Sequence, residues 1–194
     1  SMSNALPLFQ QYTPYDTEIV KTAPRYGLYL IGGTAIALLC RYFSIPFWRN
    51  RSDNDLDFLT AYDISHKDKF IRNIKHTLGF VVKEDSDYML SLESSNIHTD
   101  TDILIDYEYN NSRFGCIIND IKVMSPIYLF ASKFDRYVNC SNVQRKTTDF
   151  KDLQTLLLLI ERTNGFDELE NHLSALNYDQ RAENLLNDII ASMI

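Results

Sequence analysis

The first half of the chain carries short apolar runs of strand length, and the second half carries apolar residues at helical spacing. Tyr26 to Ile31 is an aromatic-rich apolar run ending in Gly32-Gly33, which reads as a buried strand entering a tight turn. Thr34 to Phe43 should follow as a helix, with Thr34 placed to cap it and Ala35, Leu38, Leu39 and Tyr42 on one face. Ile45-Pro46 ends that pattern. Asp55 to Thr60 alternates acid with apolar residue, so a strand there puts Leu56 and Phe58 on one face and Asp55 and Asp57 on the other. Ser65 to Leu78 reads as a helix with a stripe of Phe70, Ile74 and Leu78 and Gly79 as its C-cap. Phe80 to Lys83, Tyr88 to Leu92 and Thr101 to Tyr109 read as antiparallel strands, and Cys116 to Met124 as a further strand or loop. Ser125-Pro126 is a helix start. Helices are predicted over Pro126 to Val138, Asp149 to Thr163, Phe166 to Leu176 and Gln180 to Met193.

Strands first and helices second argue for an α+β fold, with residues 1–124 as a catalytic domain and 125–194 as a helical portion packed on it. A length of 194 residues suits one such unit, and 45% hydrophobic with 23% charged residues is an ordinary globular composition. The longest apolar stretch, Gly27 to Cys40, is broken by two glycines and falls short of the roughly 20 residues of a membrane span. No secretory pattern opens the chain, so a cytoplasmic protein without membrane partners is expected. Cys40, Cys116 and Cys140 fit neither a disulfide framework nor a zinc pair, and read as buried small hydrophobes.

The net charge of −7 argues against coating nucleic acid by bulk electrostatics, but the charge is unevenly spread. Lys21, Arg25, Arg41, Arg49 and Arg51 lie between Glu18 and Asp53 with no acid among them, a stretch suited to a polyanion. From Glu161 onward seven acids face two arginines, a balance of −5.

Two features carry candidate chemistry. Gly32-Gly33 between strand and helix lets a phosphate approach the backbone and the helix N-terminus, although a tight turn alone would need the same residues. Asp55 and Asp57, two apart in a strand, share a face about 6 to 7 Å apart, a pair suited to hard cations or to a solvated strand face. A calcium loop starting at Asp53 fails, because Phe58 stands where it needs Gly and Ile64 where it needs Glu. The four histidines, His66, His76, His98 and His172, show no metal-ligand spacing.

The ordered set of a hydrophobic strand, Gly-Gly, a helix and then an Asp-x-Asp strand resembles the nucleotidyltransferase superfamily. Tyr29-Leu-Ile-Gly-Gly-Thr-Ala-Ile-Ala-Leu38 followed by Arg51-Ser-Asp-Asn-Asp-Leu-Asp-Phe58 is most similar to the AbiEii-type nucleotidyltransferases, toxins of toxin-antitoxin pairs. Lys133 and then Thr148-Asp149-Phe150-Lys151-Asp152-Leu153 extend the resemblance, which covers roughly residues 26–160 and departs at Thr148, where Lys or Arg is usual. Lys146 and Lys151 stand close enough in sequence to supply that charge. The resemblance implies a third carboxylate, Asp102 in preference to Asp106. It also implies two magnesium ions held by Asp55, Asp57 and Asp102, and an NTP held by Gly32, Gly33, Thr34, Arg51, Lys133, Asp149 and Asp152. Arg136, three residues past Lys133, would meet the triphosphate or an RNA backbone, or else form part of a solvated helix face.

The expected reaction moves an NMP from an NTP to a hydroxyl. By resemblance the acceptor is an RNA, such as a tRNA 3′ end, and the partner an antitoxin protein. Transfer to a protein or small molecule, and a non-catalytic module that binds a nucleotide or a partner, are the competing readings.

Overall fold

The structure, a computed structural model, describes residues 19–48, 56–60, 68–69, 71–73, 75–76, 80–93, 100–105 and 115–194. The chain divides into two compact units: Ser1–Leu38 with Asn50–Met124, and Leu39–Arg49 with Ser125–Ile194.

In the first unit a 3₁₀ turn, Ala23–Tyr26, precedes β1, Tyr29–Ile31, so Tyr26 is not part of the strand. Pro24 favours that turn, because its fixed φ suits a helical start and its missing N–H has no partner to lose there. Helix α1, Gly32–Phe43, starts at the glycine pair itself, and Thr34 lies inside its first turn instead of at its cap. Ala35 through Cys40 are all buried while Tyr42 is 46% exposed, so the helix is apolar on all sides in its middle and not on the single stripe expected.

The other strands are β2, Leu56–Thr60; β3, Val81–Asp85; β4, Met89–Glu93; β5, Thr101–Ile105; β6, Gly115–Ile118; and β7, Ile121–Met124. Among the described residues these strands and β1 form one sheet in the order β3-β4-β5-β2-β1-β7-β6. The sheet is mixed: β2 runs parallel to β5 and β1 parallel to β7, while the remaining neighbours are antiparallel. The expected meander is β3-β4-β5. Cys116 to Met124 resolves into a hairpin turning at Asn119-Asp120, both with positive φ as a type I′ turn requires. Asn and Asp tolerate that region better than other side chains. Residues 68–69, 71–73 and 75–76 are helical within the predicted Ser65 to Leu78 helix, whereas its stripe of Phe70, Ile74 and Leu78 lies outside the described residues.

The second unit holds α2, Pro126–Asn139; α3, Val143–Arg162; α4, Phe166–Ser174; and α5, Gln180–Ala191. Ser125 caps α2 by accepting from Tyr128 N–H at 3.3 Å, and Asp179 caps α5 by accepting from Ala182 N–H at 2.9 Å. Helix α3 begins six residues before the predicted Asp149, at the Asn142 cap, whose side chain accepts from Arg145 N–H. Its opening turns carry no buried apolar residue, so the hydrophobic period starts late. Phe130, Phe134, Leu153, Leu156, Leu159 and Ile160 are fully buried, each contributing about 1.5–3 kcal/mol. No helix among the described residues is long and apolar enough to cross a membrane. Of the cysteines only Cys40 is fully buried; Cys116 and Cys140 are half-buried, which corrects the expectation for those two.

Gly115 packs so closely on Tyr29 that a Cβ there would lie 1.9 Å from the ring. Gly115→Ala should therefore destabilise the chain by about 1–3 kcal/mol in urea unfolding. The cost should shrink when Tyr29 is already leucine, because the two positions contend for one volume.

Candidate active site

Gly32 joins β1 to α1 with φ of +72°, a left-handed conformation that glycine adopts without strain. Gly32, Gly33 and Thr34 form the first turn of α1, the end at which the helix dipole is positive, and Thr34 is buried there. A Cβ on Gly32 would stand 2.8 Å from Asp57 Oδ2, so the missing side chain is the space in which that carboxylate sits.

Strand register brings the rest together. Ile31 of β1 pairs with Asp57 of β2, Asp57 with Asp102 of β5, and Asp102 with Ser91 of β4. Side chains in register on neighbouring strands share a face at a strand spacing of about 4.8 Å. Asp57 and Asp102 are therefore adjacent on one face, half-buried, while Leu56 and Phe58 are buried on the other. Ser91 donates its hydroxyl to Asp102 Oδ1 at 2.6 Å. This residue is one that sequence reasoning missed, and its signal was a lone polar side chain inside the apolar run Met89-Leu90-Ser91-Leu92.

Two carboxylates in register offer the hard oxygen donors that a divalent cation such as magnesium prefers. Among the described residues no group of three metal-capable side chains gathers. Asp55, Asp106, Arg49 and Arg51 lie outside the described residues. Lys21, Arg25 and Arg41 are exposed.

Lys133, Asp149 and Asp152 come together within the second unit. Asp152, fully buried, accepts from Lys133 Nζ at 2.9 Å and from the indole N–H of Trp48 at 2.8 Å. Asp149, 1% exposed, accepts two hydrogen bonds from Arg136, Nε to Oδ2 at 3.1 Å and Nη2 to Oδ1 at 2.5 Å, and lies 3.5 Å from Lys133. Arg136 is therefore paired with Asp149, which the solvated-face alternative did not include. Lys151 stands over the Trp48 ring, 5.0 Å from its centroid. Trp48 was also missed, since nothing in sequence links it to an acid 104 positions away. Burial, with the Asp152 charge second, pushes the Cys40 thiol up to about 12. Burial also raises the Cys116 thiol.

No protein-family model matches the sequence, and no curated protein matches it either. Solved structures do. The antibiotic-resistance factor ANT(2'')-Ia is 17% identical, with a TM-score of 0.56 over 90% of this chain and 94% of that one. An antigenic nucleotidyltransferase-like protein from Paracoccidioides brasiliensis is 14% identical, with a TM-score of 0.53 over 91% of this chain and 92% of that one. The fold is nucleotidyltransferase-like. The Megavirus polyadenylate synthase shares it at a TM-score of 0.52 and 14% identity, covering 81% of this chain but 32% of that one. At these identities what is shared is the fold.

The buried ion pairs yield a graded expectation. Lys133→Met leaves two buried carboxylates short of a cation and should cost about 3–5 kcal/mol in urea unfolding. Arg136→Gln should cost less, because the Arg136 side chain is 45% exposed and water can take its place. Asp152→Asn should recover part of the loss in the Lys133→Met background.

Proposed function

We propose that the protein is a nucleotidyltransferase that moves an NMP from an NTP to a hydroxyl acceptor and releases pyrophosphate, with magnesium as its cofactor. The observation that carries this reading is the row in which Gly32 at a helix start, Asp57, Asp102 and Ser91 stand side by side, within a nucleotidyltransferase-like fold. In this reading the N–H groups of Gly32, Gly33 and Thr34 hold the β and γ phosphates. Asp57 and Asp102, with Asp55, would hold the magnesium ions. Magnesium bound there would neutralise the triphosphate and align it with the acceptor oxygen. The Ser91 hydroxyl occupies Asp102 Oδ1, which orients the carboxylate and leaves Oδ2 to take the acceptor proton. The nucleotide roles of Lys133, Asp149, Asp152 and Arg51 belong to the same proposal. Because Asp149 and Asp152 are buried and paired with Lys133 and Arg136, they serve by fixing those cations.

The acceptor we favour is RNA, such as a tRNA 3′ end, on the strength of the acid-free basic stretch from Lys21 to Arg51. A toxin role, an antitoxin partner and a cytoplasmic location go with the AbiEii-type resemblance and are proposed with it. A small-molecule acceptor has one observation in its favour: the chain matches 94% of an antibiotic-resistance factor but 32% of a polyadenylate synthase.

Incubation with labelled NTPs, magnesium and total RNA should transfer label to RNA. Asp57→Asn should lower that transfer by about 100-fold or more while the fold persists. NTP should raise the melting temperature with magnesium and leave it unchanged in excess EDTA, because uncompensated carboxylates repel the triphosphate. An equal rise in EDTA would sink the metal reading.

Arg49→Ala together with Arg51→Ala should weaken RNA binding and reduce its log–log salt slope by about 2, one unit for each phosphate that an arginine no longer neutralises. If both single variants lose NTP affinity with the slope intact, the arginines serve the nucleotide and a small-molecule or protein acceptor is the better reading.

A further inference from the structure

Helices α3, α4 and α5 enclose a cleft of about 540 Å³ that none of the nucleotide-handling residues lines. Its apolar lining comes from Leu157 of α3, Phe166, Leu169 and Leu173 of α4, and Leu186 and Ile190 of α5. Leu157, Leu169 and Leu173 are buried, but Phe166 and Ile190 are 46% and 43% exposed. The cleft is thus open, and large apolar side chains at its walls stay wet. Tyr178 also lines it; its ring packs edge-on against Phe134 at 5.2 Å, and its buried hydroxyl has no hydrogen-bond partner among the described residues.

The charge of the walls selects the occupant. Glu170 and Glu183 line the cleft from α4 and α5, and no basic side chain among the described residues lines it. The chain from Glu161 onward has a balance of −5. Nucleic acid is repelled by such a surface. A second copy docked symmetrically would bring the same acidic rim, Glu170 and Glu183, to both sides of the interface and supply no cation to either. A small apolar ligand would fill the floor and leave Phe166 and Ile190 exposed. An amphipathic helix covers both: its apolar stripe reaches the leucines and its flanking cations meet the two glutamates.

We propose that the cleft between α3, α4 and α5 is a docking groove for an amphipathic helix of another protein that carries Lys or Arg beside its apolar stripe. The groove lies in the second unit alone, and its role does not depend on nucleotidyl transfer.

The test uses the full chain and two fluorescent peptides of about 14 residues, one combining Leu and Lys at helical spacing, the other with Glu in place of every Lys. In anisotropy titrations the Leu/Lys peptide should bind saturably at one per chain, and the Leu/Glu peptide at least about 10-fold more weakly. Ile190→Asp, at an exposed position and with the fold checked by circular dichroism, should weaken the Leu/Lys peptide about 10-fold. Glu170→Gln with Glu183→Gln should shrink the difference between the peptides. Asp167→Asn with Glu168→Gln changes net charge equally on residues outside the cleft and should leave affinity within about 2-fold. Three outcomes overturn the proposal. An effect of the control pair as large as that of the groove pair would show bulk charge attraction only. A dimer of the unliganded chain in sedimentation that Ile190→Asp dissolves would put a second copy in the groove. Failure of the Leu/Lys peptide to bind, while the apolar dye ANS binds at one per chain and is lost in Ile190→Asp, would make the cleft a small-molecule site.

Discussion

Asp57 stands between Leu56 and Phe58, which are 0% and 1% exposed, so a slip of β2 by one residue would drive its carboxylate into the core and turn Phe58 out. That penalty fixes β2 against β1 and β5 together. With β2 fixed, Ile31 must sit opposite Asp57, and the next residue, Gly32, must turn the chain into α1 directly beside the carboxylate. A side chain at Gly32 would both clash with Asp57 and strain a left-handed backbone. The glycine and the acid therefore define one another, and their partners Asp102 and Ser91 follow from the same register.

The second unit rests on a different constraint. Asp149 and Asp152 are one helical turn apart on α3 and both are withdrawn from water, which neither could be without a cation. Lys133 and Arg136, one turn apart on α2, meet them side by side. Apolar packing alone would tolerate a small slide of one helix along the other. These ion pairs would not, because each slide leaves a charge buried and unpartnered. Trp48 adds a further hydrogen bond to Asp152 from the segment Leu39–Arg49 of the same unit.

Much of this is legible in the sequence where local pattern decides. Alternation around Leu56 and Phe58 places β2, and Gly32-Gly33 marks the end of β1, because period and turn chemistry are properties of neighbouring residues. The start of α3 is not legible from periodicity, since Val143 to Thr148 carry no buried stripe; only the Asn142 cap marks it. Pattern reads the β6–β7 hairpin equally as strand or loop, although Asn119-Asp120 is a turn pair of the type that reverses a chain. For the candidate site, adjacency of Asp57 to Asp102 depends on parallel pairing of strands more than 40 positions apart, which no local pattern encodes. The partners of Asp149 and Asp152 are hidden for the same reason, and their burial turns an apparent ligand pair into a holder of cations.

The thiols sort themselves by environment. Cys40 is buried with its thiol pushed up to about 12, and the Cys116 thiol is raised by burial as well, so neither supplies much thiolate near neutral pH. Cys140 is half-buried at the end of α2. A maleimide dye offered at neutral pH should thus spare Cys40 for as long as the chain stays folded. Labelling of that thiol would then time the opening of its own surroundings in α1.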